Sequence, residues 1–500
     1  MVVAAIDAGT TGVRCMITDR NGAALGIGRR KWTYTTPNYL EIAKEFDADA
    51  FWKIICIVTR EAIQNAGVET SKIEAVATTS QRHGIVFLDA DGNELYAGPN
   101  IDARGAMSQY VIEDAIGEKY FEITGCWPPM MFGPSRLAWF EEEAPEIHSA
   151  IAHVLPINDW ISYKLCGIYS TDPSAASATG FLDIKKRRWS KEVVTSLNLD
   201  LKILPEIHDA GTKIGEVTLE AENDCGLPQE LSVIQGGADS QSAALACQAK
   251  PGEVVVIGGS TSPVLLILDE PICSFDQKVW TGCHILPNIW VQESNASNTG
   301  ALLEWIVGLL CERAESPNNC IKETFTKLPD LLCDVSPGSN ETIAALGPNI
   351  MDCHEMTSIP LGRIFFPQPT LPQIVALNAA NLIHSVLENI VYSIRGNCEQ
   401  LEEYSEFQNI KAIGGLTQSD VFLKLVANIM GKSVNTPIQP EGSLLGASIC
   451  AAKGVGWYPS LSAAADEMVQ WRPAYEPDDR VSTYKSYYKK WRNEIWCRSD

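Results

Sequence analysis

Two carboxylates in this chain stand where an acid could do phosphate chemistry. Asp7 ends an apolar run, Val2 to Ile6, and is followed at once by Ala8-Gly9-Thr10-Thr11-Gly12, after which a second apolar run carries Arg14. Asp239 follows the strand-like Leu231 to Ile234 and the pair Gly236-Gly237, and it precedes the helix-like Ser242 to Cys247. A carboxylate such as Asp7 suits Mg²⁺ beside nucleotide phosphates, and Arg14, a charge within an apolar strand, would be satisfied by a phosphate. Asp239 has the form of a general base that takes a hydroxyl proton while the oxygen attacks phosphorus. Plainer roles remain open at both places, a turn-forming Asp before glycine at Asp7 and a helix N-cap at Asp239.

The Asp7 pattern has a partner near the middle of the chain. Val254 to Ile257 enters Gly258-Gly259-Ser260-Thr261-Ser262 and leaves as Val264 to Leu268, again two strands joined tightly around Gly, Ser and Thr. Glycine lets backbone N–H groups approach an anion, and hydroxyls add donors. Two such cradles predict two related lobes that close on one nucleotide, and they are unequal, because Gly258 stands where the first copy has Asp7. A third polar cluster, Gln81-Arg82-His83-Gly84, ends the strand Ile73 to Thr78, the position where ligands gather in open α/β sheets. In Asn100-Ile101-Asp102-Ala103-Arg104, an acceptor and a donor stand two residues apart, which reads either as substrate contact or as an internal salt bridge.

The elements that would hold these groups follow from periodicity. Phe51, Ile54, Ile55, Val58 and Ala62 predict a helix between Asp47/Asp49 and Gly67, turns fall at Asp19 to Gly22 and Asp89 to Gly92, and Ile85 to Leu88 is a strand. Ile383, Val386, Leu387, Ile390, Val391 and Ile394 mark a long amphipathic helix, Ile410 to Ile413 a strand entering Gly414-Gly415, and 470–500, with Trp471, Trp491 and Trp496, a terminal helix. Strands broken by helices predict an α/β protein, and a boundary falls after residue 246.

Composition narrows the classes. At 500 residues and 45% hydrophobic content the chain has ample core for two domains, and a formal charge of −23 argues against a nucleic-acid partner. Fifteen cysteines, scattered without a C-x-x-C pair or zinc spacing, read as reduced, mostly buried thiols. With no signal-like start and no apolar run of spanning length, the expectation is a cytoplasmic protein without a membrane partner.

The order of the motifs resembles the FGGY carbohydrate kinases along essentially the whole chain. Asp7 to Thr11 with Arg14, Gly237-Ala238-Asp239, Gly259-Ser260-Thr261, Asn298 to Trp305, Ala412 to Ser419 and Glu441 to Ala447 are each similar to a family motif, in family order. The resemblance implies two duplicated actin-like (ribonuclease H-like) ATPase lobes around a central cleft: residues 1–246 for sugar and the first phosphate loop, 247–500 for the nucleotide. It implies transfer of the γ-phosphoryl group of ATP, with Mg²⁺, to a hydroxyl of a small sugar or polyol. Asp239 would be catalytic and, with Asp7, near the metal. Gln81, Arg82, His83, Asp102 and Asp239 would face the sugar. Thr10, Thr11, Arg14, Gly259, Ser260, Thr261 and Gly300 would hold phosphates, and Gly414, Gly415 and Ser419 would border the adenosine.

The expected acceptor is a linear ketopentose, as in xylulokinases. Asn100 to Arg104, Asn158-Asp159-Trp160, Asp172-Pro173-Ser174 and His284 to Pro287 are similar to autoinducer-2 kinases, which act on a linear five-carbon hydroxyketone. Gln81-Arg82-His83 mixes the glycerol-kinase and xylulokinase patterns, and Met131 stands where glycerol kinases have tyrosine. The usual Gly-Glu-Arg-Thr-Pro stretch of sugar kinases is not evident between Gly347 and Arg363. A glycerol or other polyol kinase and a non-catalytic sugar or nucleotide sensor are the alternatives, and a homodimer is left open.

Overall fold

The computed structural model describes residues 1–37, 39–355, 362–367 and 377–496, with side chains to residue 493. Part of the 347–363 stretch, residues 356–361, thus lies outside the described residues, as does the end of the expected terminal helix. The chain forms two compact units. The first comprises Met1–Pro251, Ile267–Gln292 and Glu441–Gln470, the second Gly252–Leu266, Glu293–Pro440 and Trp471–Asp500.

In the first unit, β1 (Val2–Gly9) pairs antiparallel with β2 (Gly12–Thr18), which pairs with β3 (Ala24–Lys31). On its other side β1 runs parallel to β4 (Ile73–Ser80), which is parallel to Ser232–Ile234, and Lys213–Glu216 closes that edge. Val3 to Ile6 are wholly buried, so β1 is a continuous apolar run covered on both faces. One cover is α1 (Ala48–Ala66), started by Asp47, whose carboxylate accepts from Ala50 N at 2.9 Å, and ended by Gly67 at φ 63°. Close packing of α1 on β3 requires glycine: a Cβ on Gly28 would lie 2.1 Å from Val58 O. Another cover is the helix Gly442–Gly454, which packs on β1, β4 and the helix Asp239–Ala246.

The second unit repeats the plan. Val254–Ile257 pairs antiparallel with Thr261–Leu268 and parallel with Ile410–Ile413, which is parallel to Val434–Asn435. With Trp290–Asn298 beyond Thr261–Leu268, the strands lie in chain order 3-2-1-4-5, the same order as β3-β2-β1-β4 and Ser232–Ile234. The expected long helix runs Ala379–Glu402 and buries Ile383, Val386, Leu387, Ile390, Val391 and Ile394.

Three expectations need correction. Cys311 and Cys320 are joined in a disulfide rather than reduced, because the end of helix Gly300–Cys311 and the start of Pro317–Thr326 bring them together; twelve other described cysteines are free. The terminal helix is short, Val481–Lys490 with a π turn after it, and Trp471 lies before it, bridging to Pro437. The helix expected from Ser242 begins three residues earlier, at Asp239. No helix among the described residues is long and apolar enough to cross a membrane.

Gly446 tests the helix packing in the first unit, since a Cβ there would sit 2.1 Å from Ser242 O. Gly446→Ala should destabilise by about 1–3 kcal/mol in denaturant unfolding. Gly308→Ala, in the helix Gly300–Cys311 with only Ile321 Cδ1 nearby at 3.9 Å, should be neutral or stabilising by up to about 1 kcal/mol.

Candidate functional site

In the first unit the β1–β2 hairpin turns through Thr10-Thr11 and sets Asp7 directly opposite Arg14. Asp7 is 1% exposed, and a carboxylate so buried must be compensated. Arg14 donates to Asp7 Oδ2 and, through its other terminal nitrogen, to Glu441 Oε2, while Ser443 Oγ donates to Asp7 Oδ2 at 2.6 Å. Burial opposes the Arg14 charge, but Asp7 and Glu441 outweigh it and hold the guanidinium protonated above its usual range. Asp7 Oδ1 is buried with no partner. Glu441 and Ser443 belonged to a motif legible in the sequence, but the contacts of Glu441 with Arg14 and of Ser443 with Asp7, more than 420 residues away, were not.

Asp239 is the first residue of its helix, not the N-cap; Ala238 holds that place. Its Oδ1 accepts from its neighbour Ser240 N at 2.6 Å and lies 3.7 Å from Arg82 Nε. Burial pushes the carboxyl up to about 6, with Arg82 pulling it down and Asp7 adding to the rise. Such a group is ionised at neutral pH yet basic enough to take a proton. The end of β4 thus delivers Arg82 to Asp239, and β1 delivers Asp7 within electrostatic reach.

The remaining residues of the polar cluster divide by role. Gln81 is 2% exposed and braces the loops, donating to Tyr34 Oη at 3.0 Å and accepting from Asn100 N at 3.0 Å. His83, at φ 66°, packs edge-on against Phe132 and Trp280. Burial, aided by Arg82, lowers its pKa to about 3, so the ring is neutral. With Nδ1 3.0 Å from the Ala178 carbonyl, that nitrogen carries the proton and donates it, leaving the unpartnered Nε2 as an acceptor. A cavity of about 10 Å³ lies among Arg82, His83, Asn158, Thr179 and Ala238.

Asp102 is drawn into a buried ionic cluster. Its Oδ2 accepts from Arg104 Nε at 2.8 Å and from Tyr96 Oη, and its Oδ1 from Lys44 N at 2.9 Å. Arg136 lies 3.8 Å away, and the Asp102 and Arg104 side chains are both fully buried. Of the two readings of this motif, the structure displays the internal salt bridge.

In the second unit the other cradle is a backbone construction. Gly300 N donates to Gly259 O at 3.1 Å, and Thr299 N and Ala301 N donate to Ser260 O, which ties the loop to the start of helix Gly300–Cys311. A Cβ on Gly300 would lie 2.4 Å from Gly259 O, so only glycine permits this approach. Ser260 and Thr261 keep exposed side chains. Gly414, at φ 114°, crosses Gly258, whose carbonyl accepts from Leu416 N at 2.9 Å. Ser419 caps the helix Asp420–Met430. Cradle and Gly414-Gly415 loop therefore lie side by side.

The described residues contain no group of three or more His, Cys, Asp or Glu side chains that could hold a metal. Magnesium needs no such cage, since one or two carboxylates with phosphate oxygens and water suffice. The orphaned Oδ1 of Asp7 and the nearby Asp239 fit that donor set.

Residues 2–246 match the N-terminal domain, and residues 254–455 the C-terminal domain, of the FGGY family of carbohydrate kinases. The autoinducer-2 kinases of Salmonella typhimurium and Yersinia enterocolitica are 27% and 28% identical, with 98% of this chain and 93% of each relative covered. Among solved structures, xylulose kinase from Rhodospirillum rubrum superimposes with a TM-score of 0.80 at 21% identity, covering 98% of both chains. Plasmodium falciparum glycerol kinase with ADP superimposes at 0.82 and 17%, covering 99% of this chain and 98% of that one. With both domains matched in order, this chain belongs to the FGGY family of carbohydrate kinases and is a phosphotransferase acting on a sugar hydroxyl.

Proposed function

We propose that the enzyme transfers the γ-phosphoryl group of ATP to a hydroxyl of a small linear hydroxyketone of about five carbons. The observation that carries this reading is the Asp239 carboxylate, raised to about 6, beside Arg82 and within the field of Asp7. The acceptor oxygen forms its bond to the γ-phosphorus, the bond from that phosphorus to the bridging oxygen of ADP breaks, and Asp239 takes the hydroxyl proton. Arg82 keeps Asp239 ionised until then and donates to the acceptor, while the neutral His83 accepts a hydrogen bond from another substrate hydroxyl at Nε2.

In this reading residues 1–246 supply the sugar site and the first phosphate loop, with Thr10, Thr11 and Arg14 toward phosphate. Residues 247–500 supply the nucleotide side: Gly259, Ser260, Thr261 and Gly300 toward phosphates, Gly414, Gly415 and Ser419 toward adenosine. Asp7 and Asp239 are the carboxylates that would hold Mg²⁺, which when bound offsets phosphate charge. Gln81 and Asp102 act from behind, shaping the walls. Transfer of this kind depends on alignment and charge neutralisation more than on covalent help.

The full-length relatives named autoinducer-2 kinase favour the linear hydroxyketone form of autoinducer-2 as acceptor, with a xylulose-like ketopentose second. Both are linear polyhydroxy ketones, and an Arg–His pair that offers one donor and one acceptor suits a carbonyl beside a hydroxyl. The free thiols of twelve described cysteines favour a cytoplasmic setting.

Asp239→Asn should lower kcat by about 10²–10⁴-fold while sugar binding by calorimetry persists; unchanged turnover would instead point to another base, and a wild type that forms no ADP with any sugar or polyol would fit a sensor. For the wild type, kcat/KM should be level near neutrality and fall about tenfold per pH unit below about 6, because protonated Asp239 cannot accept a proton. In an ATP-dependent screen of ketopentoses, tetruloses, polyols and the autoinducer-2 precursor, the five-carbon hydroxyketones should give the highest kcat/KM. A preference for glycerol would overturn the acceptor assignment.

A further inference from the structure

The turn that carries Asp239 is poorly capped by its own residues, since Ala238 in the N-cap position has no side-chain acceptor. Two hydroxyls from elsewhere in the first unit grip it instead. Ser174 Oγ accepts from Ala238 N at 3.0 Å, and Thr79 Oγ1 donates to Gly237 O at 2.7 Å. Neither hydroxyl is free to turn away. Ser174 Oγ donates its proton to Asp172 Oδ1 at 2.9 Å, which leaves a lone pair facing the Ala238 N–H, and Asp172 is itself held by Ser174 N and Ala175 N at 2.9 Å. Thr79 is flanked by Ser242 Oγ at 3.3 Å.

All of these groups are sealed from water. Asp172, Ser174, Thr79 and Ser242 are completely buried, and Ala238 is 2% exposed. A Cβ on Gly237 would fall 2.6 Å from Ser174 Oγ, so the glycine before Ala238 exists partly to admit this serine. The same stretch reaches the turn once more, where Ser170 Oγ donates to Gln235 Oε1 at 2.7 Å. An unpaired buried N–H is costly, so losing the Ser174 acceptor should make the turn move rather than leave Ala238 N–H orphaned.

We propose that Ser174, oriented by Asp172, and Thr79 are positioning residues for phosphoryl transfer, clamping the Gly237-Ala238 peptides from two sides so that the Asp239 carboxylate stays aligned beside Arg82. The proposal rests on the reading of Asp239 as the base, and it accounts for two hydroxyls spent on one turn. Since Asp239 and Arg82 are 3.7 Å apart, a small displacement of the turn alters both the reach of the base and the charge that keeps it ionised.

The test uses the full chain carrying ¹³Cγ-labelled aspartate, with the Asp239 signal assigned from Asp239→Asn. In Ser174→Ala and Thr79→Val, kcat should fall about tenfold while KM for ATP and acceptor stays within about threefold, and the Asp239 titration midpoint should move by more than about 0.5 pH unit. Thr79→Ser keeps the hydroxyl and should restore both values. Ser190→Ala, which removes a buried helix cap of the same unit, should lower Tm and leave the midpoint in place. An Asp239 midpoint equal to wild type in both Ser174→Ala and Thr79→Val overturns the proposal, and if Ser174→Ala does not fold, the Thr79 pair decides it. A midpoint that moves in a protein without phosphoryl transfer supports the clamp and refutes the base assignment.

Discussion

The buried carboxylate of Asp7 is the constraint on which the first unit depends. A charge at the end of a strand sealed on both faces is stable only with compensating partners in fixed places. Arg14 is supplied by the register of the hairpin and Ser443 by a helix that returns from more than four hundred residues away, while Glu441, the N-cap of that helix, accepts the other end of Arg14. That helix also covers β1 and β4 and packs on the helix begun by Asp239. The ion cluster, the sheet and the placement of Asp239 therefore stand together, and Asp7 still keeps one oxygen unspent.

The second unit uses the same strand order for a different purpose. Where the first hairpin gathers charge, the second has Gly258 and Gly259, and its geometry comes from backbone contacts to Gly300 and Leu416. Glycine is needed at Gly300 and Gly414 because neighbouring carbonyls lie where side chains would be. One duplicated plan thus yields a charged cradle and a neutral one.

Much of the fold was legible because its elements are locally determined. The α1 helix has its apolar period, its Asp47 cap and its Gly67 stop within twenty-one residues, and both hairpins announce themselves by glycine and hydroxyl residues between apolar runs. Chemistry that depends on distant partners was less legible. Asp102 and Arg104 read equally as a ligand pair or a salt bridge until Tyr96, Lys44 and Arg136 were seen around them. Which His83 nitrogen carries the proton is likewise decided by the Ala178 carbonyl, ninety-five residues on.

What the amino-acid order determined alone is the identity and succession of the motifs, because short apolar runs, glycine turns and cap residues act over a few neighbours. From these come the α/β class, the duplicated hairpins and the family. Tertiary structure alone decided the electrostatic states. The rise of Asp239 toward 6 and the neutrality of His83 follow from burial and from charges brought close by folding. Desolvation and Coulomb interaction depend on distance in space, and no spacing along the chain encodes them.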